Sequence, residues 1–396
     1  MEVRIAENRA EWENFLRNQE WAPFLQSWNM GEVYESLGQE VIRMEVRDEG
    51  EIIGVCQGVV VPARRGKHIA VQYGPLTAVR DQCSAIRVFA EELKKIAVEK
   101  NCAFVRMSPF WPAKNSNCLS TRCAFLEHQP MADVERQHNS LEESLKELGF
   151  RDAPLHMLAE HVWYLNLEGK TEEEILAGMR KNTRNLIRRS EREGVTVEVS
   201  DDPVRDMEIF LKLHDETRKR HGFTPYTDEF FEAQVKEFGS DKEAFLDRVP
   251  LAAGVERMPL DSAPCEESHS RKAGGAVMYI ARLNGEPVSA SIHMTYGGET
   301  SYHHGASTSK YPKCYASYLL QWTAIRDALK RGDKIFNFWG VSPEGVKKHP
   351  FAGVRTFKTG FGGELLELMH CKDLAVSKKY WLNFAIENFR KWKRGF

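Results

Sequence analysis

The sequence predicts an α/β chain with mixed strand pairing, folded as two related domains. Three observations predict it. At 396 residues the chain exceeds the ~250–300 residues at which a single hydrophobic core stops growing. Hydrophobic residues make up 42% and charged residues 28%, the balance of an ordinary globular protein. Most specifically, one order of elements, β-hairpin, strand, helix, strand, occurs twice.

In the first copy, Glu7 to Asn18 reads as a helix and PFLQSWNMGEVYESLG as a second short one. VIRMEVRDEGEIIGVCQGVVVP follows as two β-type runs around the turn signal Asp48-Glu49-Gly50. HIAVQYGP is a strand. AIRVFAEELKKIAVEKN is an amphipathic helix with Ile86, Phe89, Leu93, Ile96 and Ala97 on one face, and CAFVRMSPFWP is a strand stopped by two prolines. In the second copy AVMYIARLNGEPVSASIHMTYGG is a hairpin around Asn284-Gly285. TSYHHGAS is a strand, ASYLLQWTAIRDALKRG a helix and KIFNFWGVSP a strand stopped by proline. The strand ends also correspond, QYGP with HHGA and RMSPFWP with WGVSPEG, which argues for a duplicated module.

Between the copies lie a polar bridge from Lys114 to His138, the helix SLEESLKELGF, and HVWYLNLEGKTEEEILAGMRKNTRNLIRRSEREGVTVEV as strand, loop, helix and strand. DMEIFLKLHDETRKRHGF and DEFFEAQVKEF are two further helices. Residues 250–273 read as an exposed loop insertion without a heptad. The tail SKKYWLNFAIENFRKWKRGF is an amphipathic helix rich in aromatic and basic residues.

A net charge of -2 excludes a globally basic nucleic-acid coat, so any RNA contact must use a local patch. The N-terminus MEVRIAENRAEWENF has no apolar core of a secretory signal, and no stretch approaches ~18 apolar residues. The eight cysteines form no CxxC pair and read as reduced cytosolic thiols. Cys118, Cys123, His128 and His138 match no standard zinc spacing, so no metal is expected.

Hairpin, strand, helix and strand with mixed pairing is the outline of the GNAT acyltransferase fold, which holds acyl-CoA on a glycine-rich loop at a helix N-terminus. The corresponding loops, STSKYPKCYAS and TAVRDQCSA, contain no glycine. The fold suits acyl transfer and the usual CoA donor does not fit. The helix NTRNLIRRSEREGV, the segment TRKRHGF, YHHGAS with the helix behind it, and FNFWGV, HPFAGV and FKTGFGGE, in this order, resemble the FemABX family of aminoacyltransferases, which build peptidoglycan bridges from aminoacyl-tRNA. The resemblance spans roughly Thr171 to Glu364 and is supported further upstream by the QSW segment.

The resemblance implies two tandem GNAT-like domains. Residues 1–160 form the first, completed by a returning helix at 371–396, and 161–370 form the second. It implies that an amino acid passes from aminoacyl-tRNA, the co-substrate in place of any cofactor, to the stem-peptide amine of lipid II or UDP-MurNAc-pentapeptide. By itself Lys358 reads as a solvated strand lysine followed by a glycine bulge. The family pattern makes it the catalytic lysine, with Phe357 beside it near the tRNA 3′ adenine. Tyr302, His304, Tyr315, Trp339, Gly362 and Gly363 join it as implied substrate-binding residues. Arg180, Arg184 and Arg188 form one stripe at helical spacing, suited to phosphates or to a solvated face paired with Glu191 and Glu193. His303 and His304 are expected on opposite faces of a strand, one in the core and one toward the cleft.

Family members that hold the soluble precursor use basic residues where this chain reads Val33-Tyr34-Glu35 and Pro225-Tyr226, which counts against the soluble precursor and leaves a lipid-linked or otherwise different acceptor open. The protein is therefore expected in the cytoplasm, in peripheral contact with the inner membrane surface through its basic, aromatic tail, or else with that tail docked on the first domain. Two other readings remain open on this sequence: an acyl-CoA N-acyltransferase, and a non-catalytic cell-wall or RNA-binding protein on the same fold.

Overall fold

The computed structural model describes residues 1–64, 66–78, 82–113, 131–223, 225–239, 275–346 and 351–394. The expected loop insertion at 250–273, Cys118, Cys123, His128 and the side chain of His138 lie outside the described residues. The chain divides into two compact units, one of Met1–Val162 with Leu365–Phe396 and one of Trp163–Glu364.

The first unit contains strands β1 (Glu2–Ile5), β2 (Glu40–Asp48), β3 (Glu51–Val61), β4 (His68–Gln72), β5 (Leu76–Thr77), β6 (Phe104–Ser108) and β7 (Phe150–Asp152). Its helices are α1 (Arg9–Arg17), α2 (Trp28–Ser36), α3 (Gln82–Glu99) and α4 (Met131–Glu147). The chain re-enters this unit through a strand that pairs between β6 and β7 and a final helix. Arg106 on β6 fastens the return, donating from both Nε and Nη2 to Asp373 at 2.7 Å. Asp373 is fully buried, so a two-bond contact is what makes its charge tolerable there.

The second unit contains β8 (His161–Asn166), β9 (Val195–Val199), β10 (Gly275–Leu283), β11 (Glu286–Tyr296), β12 (Glu299–Ser307) and β13 (Ile335–Gly340). Its seven-stranded sheet begins with the strand Glu364–Glu367 and continues β8-β13-β12-β11-β10-β9. The helices are α5 (Glu172–Gly178), α6 (Lys181–Arg192), α7 (Met207–His221), α8 (Asp228–Gly239), α9 (Ala316–Arg331) and α10 (Ala352–Thr359). β14 (Glu364–Glu367) leads out to β15 (Lys372–Ala375) and α11 (Lys379–Arg394). On α9, Leu320, Ala324, Ile325 and Ala328 are buried against the sheet, the i, i+4, i+5, i+8 pattern of one helix face. Gly332 ends that helix in the left-handed conformation at φ 76, which a residue without a Cβ adopts freely.

The two units repeat one plan. Each hairpin is antiparallel, β2–β3 and β10–β11, and each carries a register shift close to its turn, at Val46/Arg47 and at Ala281/Arg282. Each turn places two residues at positive φ, Glu49 and Gly50, then Asn284 and Gly285, as a two-residue hairpin requires. Each then adds an antiparallel strand, a helix, and a parallel strand.

The parallel pairs differ, and the difference sets up the site. β4 and β6 stay paired over five residues, from His68↔Phe104 to Gln72↔Ser108. β12 and β13 pair only over Glu299–Ser301 with Ile335–Asn337 and then part.

Candidate active site

A cavity of about 500 Å³ in the second unit borders the open part of β12, from Tyr302 to Ser307. Tyr311, Tyr315, Tyr318, Phe351 and Phe357 give it aromatic walls, and Arg220, His221, His303 and Lys358 bring nitrogen functions to its lining. Among the described lining residues there is no carboxylate.

Lys358 lies on α10, one residue before its end, rather than on the strand that composition alone suggested. In AGVRTFKT the one strongly unfavourable helix residue, Gly353, falls in the first turn, and α10 follows the aromatic Phe351 as its N-cap. Lys358 is only 8% exposed. Its Nζ donates to the carbonyl of Gly340 at the end of β13 at 2.8 Å and lies 5.6 Å from the ring centre of Tyr302 on β12. The ammonium thus spans the gap between the parted strands. Burial alone holds its pKa down to about 7, because loss of water disfavours the charged form.

Three buried polar residues fix the carbonyl that Lys358 holds. Asn337 Nδ2 donates to Glu299 Oε1 at 2.8 Å, and Ser301 Oγ donates to the same oxygen. The other end of the Asn337 amide accepts from the Trp339 backbone N–H at 2.7 Å. Trp339 sits at φ +65, a left-handed conformation that a bulky side chain adopts only when its surroundings enforce it. That kink ends the strand and directs the Gly340 carbonyl to Lys358.

The histidines do not alternate as a regular strand would have them. Ile292 pairs with His304 and His293 with Tyr302, so His303 is the extra residue of a β-bulge. His303 lines the cavity, edge-on to Trp339 at 4.9 Å. Burial, and then the neighbouring Lys358, push its pKa down to about 3, so the ring is neutral at physiological pH. His304, expected at the substrate, packs elsewhere: its Nε2 meets Gln234 Oε1 at 2.9 Å and its ring lies 4.7 Å from Phe231 of α8. The bulge is the physical reason, and His303 replaces His304 at the cavity.

The structure brings together Lys358, Phe357, Tyr302 and Tyr315 from the residues named on sequence. Phe357 packs edge-on against Tyr318 at 4.9 Å. Trp339 is not a lining residue and acts on the site through its backbone and His303. Gly362 and Gly363 serve the chain, not the cavity. A Cβ on Gly362 would stand 2.9 Å from the Gly178 carbonyl oxygen, and one on Gly363 would stand 2.2 Å from that of Tyr164. Their positive φ, +85 and +94, turns the chain sharply behind α10.

The arginine stripe divides. Arg184 caps α5, donating to the carbonyls of Ala177 at 3.1 Å and of Met179, a favourable place for a cation at a helix C-terminus. Arg180 and Arg188 are exposed, and Arg188 shares an open groove with Asn185, Arg189 and Arg192. Arg189, part of the same basic helix but outside the stripe, reaches the cavity wall with its guanidinium 5.1 Å from the centre of the Tyr315 ring. Arg220 was missed. It fixes the loop after β12, donating to the Ser307 carbonyl at 3.1 Å and to Ser309 Oγ at 2.7 Å. The cluster of cations in TRKRHGF was its only sequence signal.

Several amides of that loop are engaged within the protein. The Ser307 N–H donates to Thr217 Oγ1, Thr308 to the Val288 carbonyl, Lys310 to Thr308 Oγ1 and Cys314 to the Tyr311 carbonyl. The Lys310 ammonium is paired with Glu286 at 2.7 Å. Amides already engaged by the protein cannot also bind a pyrophosphate.

A family model described as the FemAB family matches residues 8–270 and 266–388. Aminoacyltransferase FemA of Staphylococcus epidermidis is 20% identical over 400 residues, which cover 90% of this chain and 92% of that protein. A crystal structure of FemX superposes with a TM-score of 0.72 at 17% identity, covering 98% of this chain and 100% of that one. A tandem GNAT protein from the clavulanic acid biosynthesis pathway superposes at 0.54 with 10% identity, covering 95% and 99%. At these identities the two structures speak to the fold, which is that of tandem GNAT-like domains.

Proposed function

The chain belongs to the FemAB family, and on that footing we propose that it is an aminoacyltransferase working from aminoacyl-tRNA. The amino acid passes to the stem-peptide amine of a peptidoglycan precursor, lipid II or UDP-MurNAc-pentapeptide, to build an interpeptide bridge. The observation that carries this reading is Lys358, buried with no carboxylate partner among the described residues at an aromatic cavity between parted strands.

The acceptor amine attacks the ester carbonyl of the aminoacyl group, forming the C–N bond and an oxyanion. Collapse breaks the ester C–O bond and releases the ribose hydroxyl of the tRNA. A protonated Lys358 supplies a point charge and donors for the oxyanion. With a pKa of about 7 it also suits proton delivery to the departing ribose oxygen, since a general acid works best near ambient pH. The amine loses its own proton to the substrate or to water, so no additional base is needed. Phe357, Tyr315 and Tyr318 offer ring faces for the terminal adenine. The exposed groove with Arg188, Arg189 and Arg192 suits tRNA phosphates. Use of charged tRNA makes the enzyme cytoplasmic, with a lipid-linked acceptor at the inner membrane face.

The acyl-CoA reading is disfavoured by the engaged loop amides. The test is incubation of the purified protein with a pool of charged tRNAs and either lipid II or the UDP-linked pentapeptide, read by mass spectrometry. An added aminoacyl residue that disappears with Lys358→Ala supports the proposal. No mass gain where another aminoacyltransferase of the family works overturns it, as does thermal stabilisation by acetyl-CoA but not by charged tRNA.

A further inference from the structure

The last helix, α11, packs one face into the fold; on the other, Trp381 carries the Arg151 guanidinium 4.5 Å from its ring centre. Tyr380 is fully buried, with its ring 5.5 Å from Phe104 and its hydroxyl donating to Asp373. Glu387 accepts from Arg106 Nη2 at 2.7 Å, and Asn383 is buried between them in sequence. At 100° per residue, Tyr380, Asn383 and Glu387 define one stripe. They fix the rotation of the helix.

With that rotation set, Trp381, Leu382, Ala385, Phe389 and Trp392 fall together on the opposite side. All five are exposed, Leu382 at 64%, Phe389 at 60% and Trp392 at 78%. Of the eleven exposed large hydrophobic side chains among the described residues, four are on this one helix, so the patch is concentrated and not the ordinary scatter of a protein surface. The cations Lys379 and Lys393, both exposed, border the stripe on one side, while the exposed Arg390 and Lys391 lie nearer the inner face. The helix's only acid, Glu387, faces inward to Arg106. Among the described residues no helix is long and apolar enough to cross a membrane.

We propose that the outer face of α11 is a docking surface for an anionic lipid bilayer. Aromatic and leucine side chains on one face with lysines beside them are the pattern of a helix that lies in the headgroup region. Each part contributes: apolar area enters the acyl boundary, and cations meet the negative surface potential. The charge complementarity selects a lipid surface over a second copy of this chain, whose identical face would set lysines against lysines. The inference does not depend on the proposed reaction, because binding is read without any transfer.

The test is flotation of the full chain with vesicles of phosphatidylcholine alone or mixed equally with phosphatidylglycerol. Binding is expected only to the mixed vesicles, weakened by salt, with a blue shift of tryptophan emission. Leu382→Ser with Phe389→Ser and Trp392→Ser should weaken it roughly tenfold or more. The charge reversal Lys379→Glu with Lys393→Glu should do the same through the other component. These positions are exposed, and an unchanged circular dichroism melt verifies the fold of each variant. Equal binding to neutral vesicles, full binding by either variant, or a wild-type dimer that the serine variant dissociates would each overturn the proposal.

Discussion

Replacing Lys358 with methionine should stabilise the protein while abolishing its chemistry, and the size of the gain follows from the burial of one ammonium group. The folded-state pKa of Lys358 is lowered from 10.5 to about 7. At 1.36 kcal/mol per pH unit, that distance corresponds to about 5 kcal/mol against the protonated form, of which about 4 is felt at pH 7. Methionine fills nearly the same volume without the charge. It loses the bond to the Gly340 carbonyl and leaves that oxygen without this donor, which offsets about 2 kcal/mol. The net gain at pH 7 is about 2 kcal/mol, which for a unit of this size raises Tm by roughly 4–8 °C. The pH dependence is the sharper readout. Between about pH 7 and 10.5 the unfolded wild type binds more protons than the folded one, so its stability rises with pH across that window. The methionine variant lacks this slope, so its advantage vanishes near pH ~9 and becomes a deficit of about 2 kcal/mol by pH 10.5, where the lost bond to Gly340 remains. Urea denaturation at pH 7 and 10.5 measures both effects, while aminoacyl transfer should fall by roughly a hundredfold or more. A variant destabilised equally at the two pH values would refute the assignment of Lys358 as a cation held against its desolvation.

Three further outcomes test the surroundings of that lysine. His303 is held neutral with a pKa of about 3, so wild-type stability should be full above pH 6.5 and decline as pH falls toward 3; His303→Gln should remove that part of the slope in acid titrations followed by circular dichroism. A Cβ on Gly305 would stand 1.8 Å from the Tyr302 hydroxyl, so Gly305→Ala should displace that ring from beside Lys358, with a loss of about 1–3 kcal/mol in stability and of transfer activity. Glu299→Gln weakens the charge-assisted bonds from Asn337 and Ser301 and should lower transfer by roughly tenfold, with kcat affected more than KM; an unchanged kcat would show that the Gly340 carbonyl needs no such support.

Much of the fold was legible because it is written in local chemistry that recurs. The turns Glu49-Gly50 and Asn284-Gly285, the buried face of α9 and the glycine that ends it are decided within a few residues of chain. Lys358, Phe357, Tyr302 and Tyr315 were also reachable, the first two through the family pattern. What failed was whatever depends on register or long-range packing. One inserted residue opposite β11 exchanges the roles of His303 and His304, and no spacing in YHHGAS announces it. Gly362 and Gly363 look like ligand-contacting glycines in any sequence, since a glycine required by Tyr164 and one required by a substrate are the same letter. Arg184 is spent on α5, while Arg189 finds Tyr315, a partner more than a hundred positions away.

The two copies differ in where their parallel strands part, and among the described residues only the second opens a gap that a lysine enters. In the first, β4 and β6 remain zipped over their whole length. Gln26, fully buried, ties the strands beside them, accepting from the Gln57 N–H at 2.8 Å and donating to the Gln72 carbonyl at 2.7 Å. No gap is left for a ligand to enter between backbones. In the second, the bulge at His303 and the kink at Trp339 disrupt both strands just beyond Ser301 and Asn337. Backbone groups that would have paired are turned toward a cavity, and a lysine from the next helix takes one of them. The same duplicated plan therefore yields a closed sheet where pairing is complete and a cavity lined by Lys358 where it is interrupted. Restoring the alternation by deleting His303 should lengthen the β12–β13 pairing, expel Lys358 from the gap and raise its pKa toward 10.5. A titration of the labelled lysine Nζ by NMR reads that change directly, and a pKa that stays near 7 would mean that the interruption of the sheet is not what buries the ammonium.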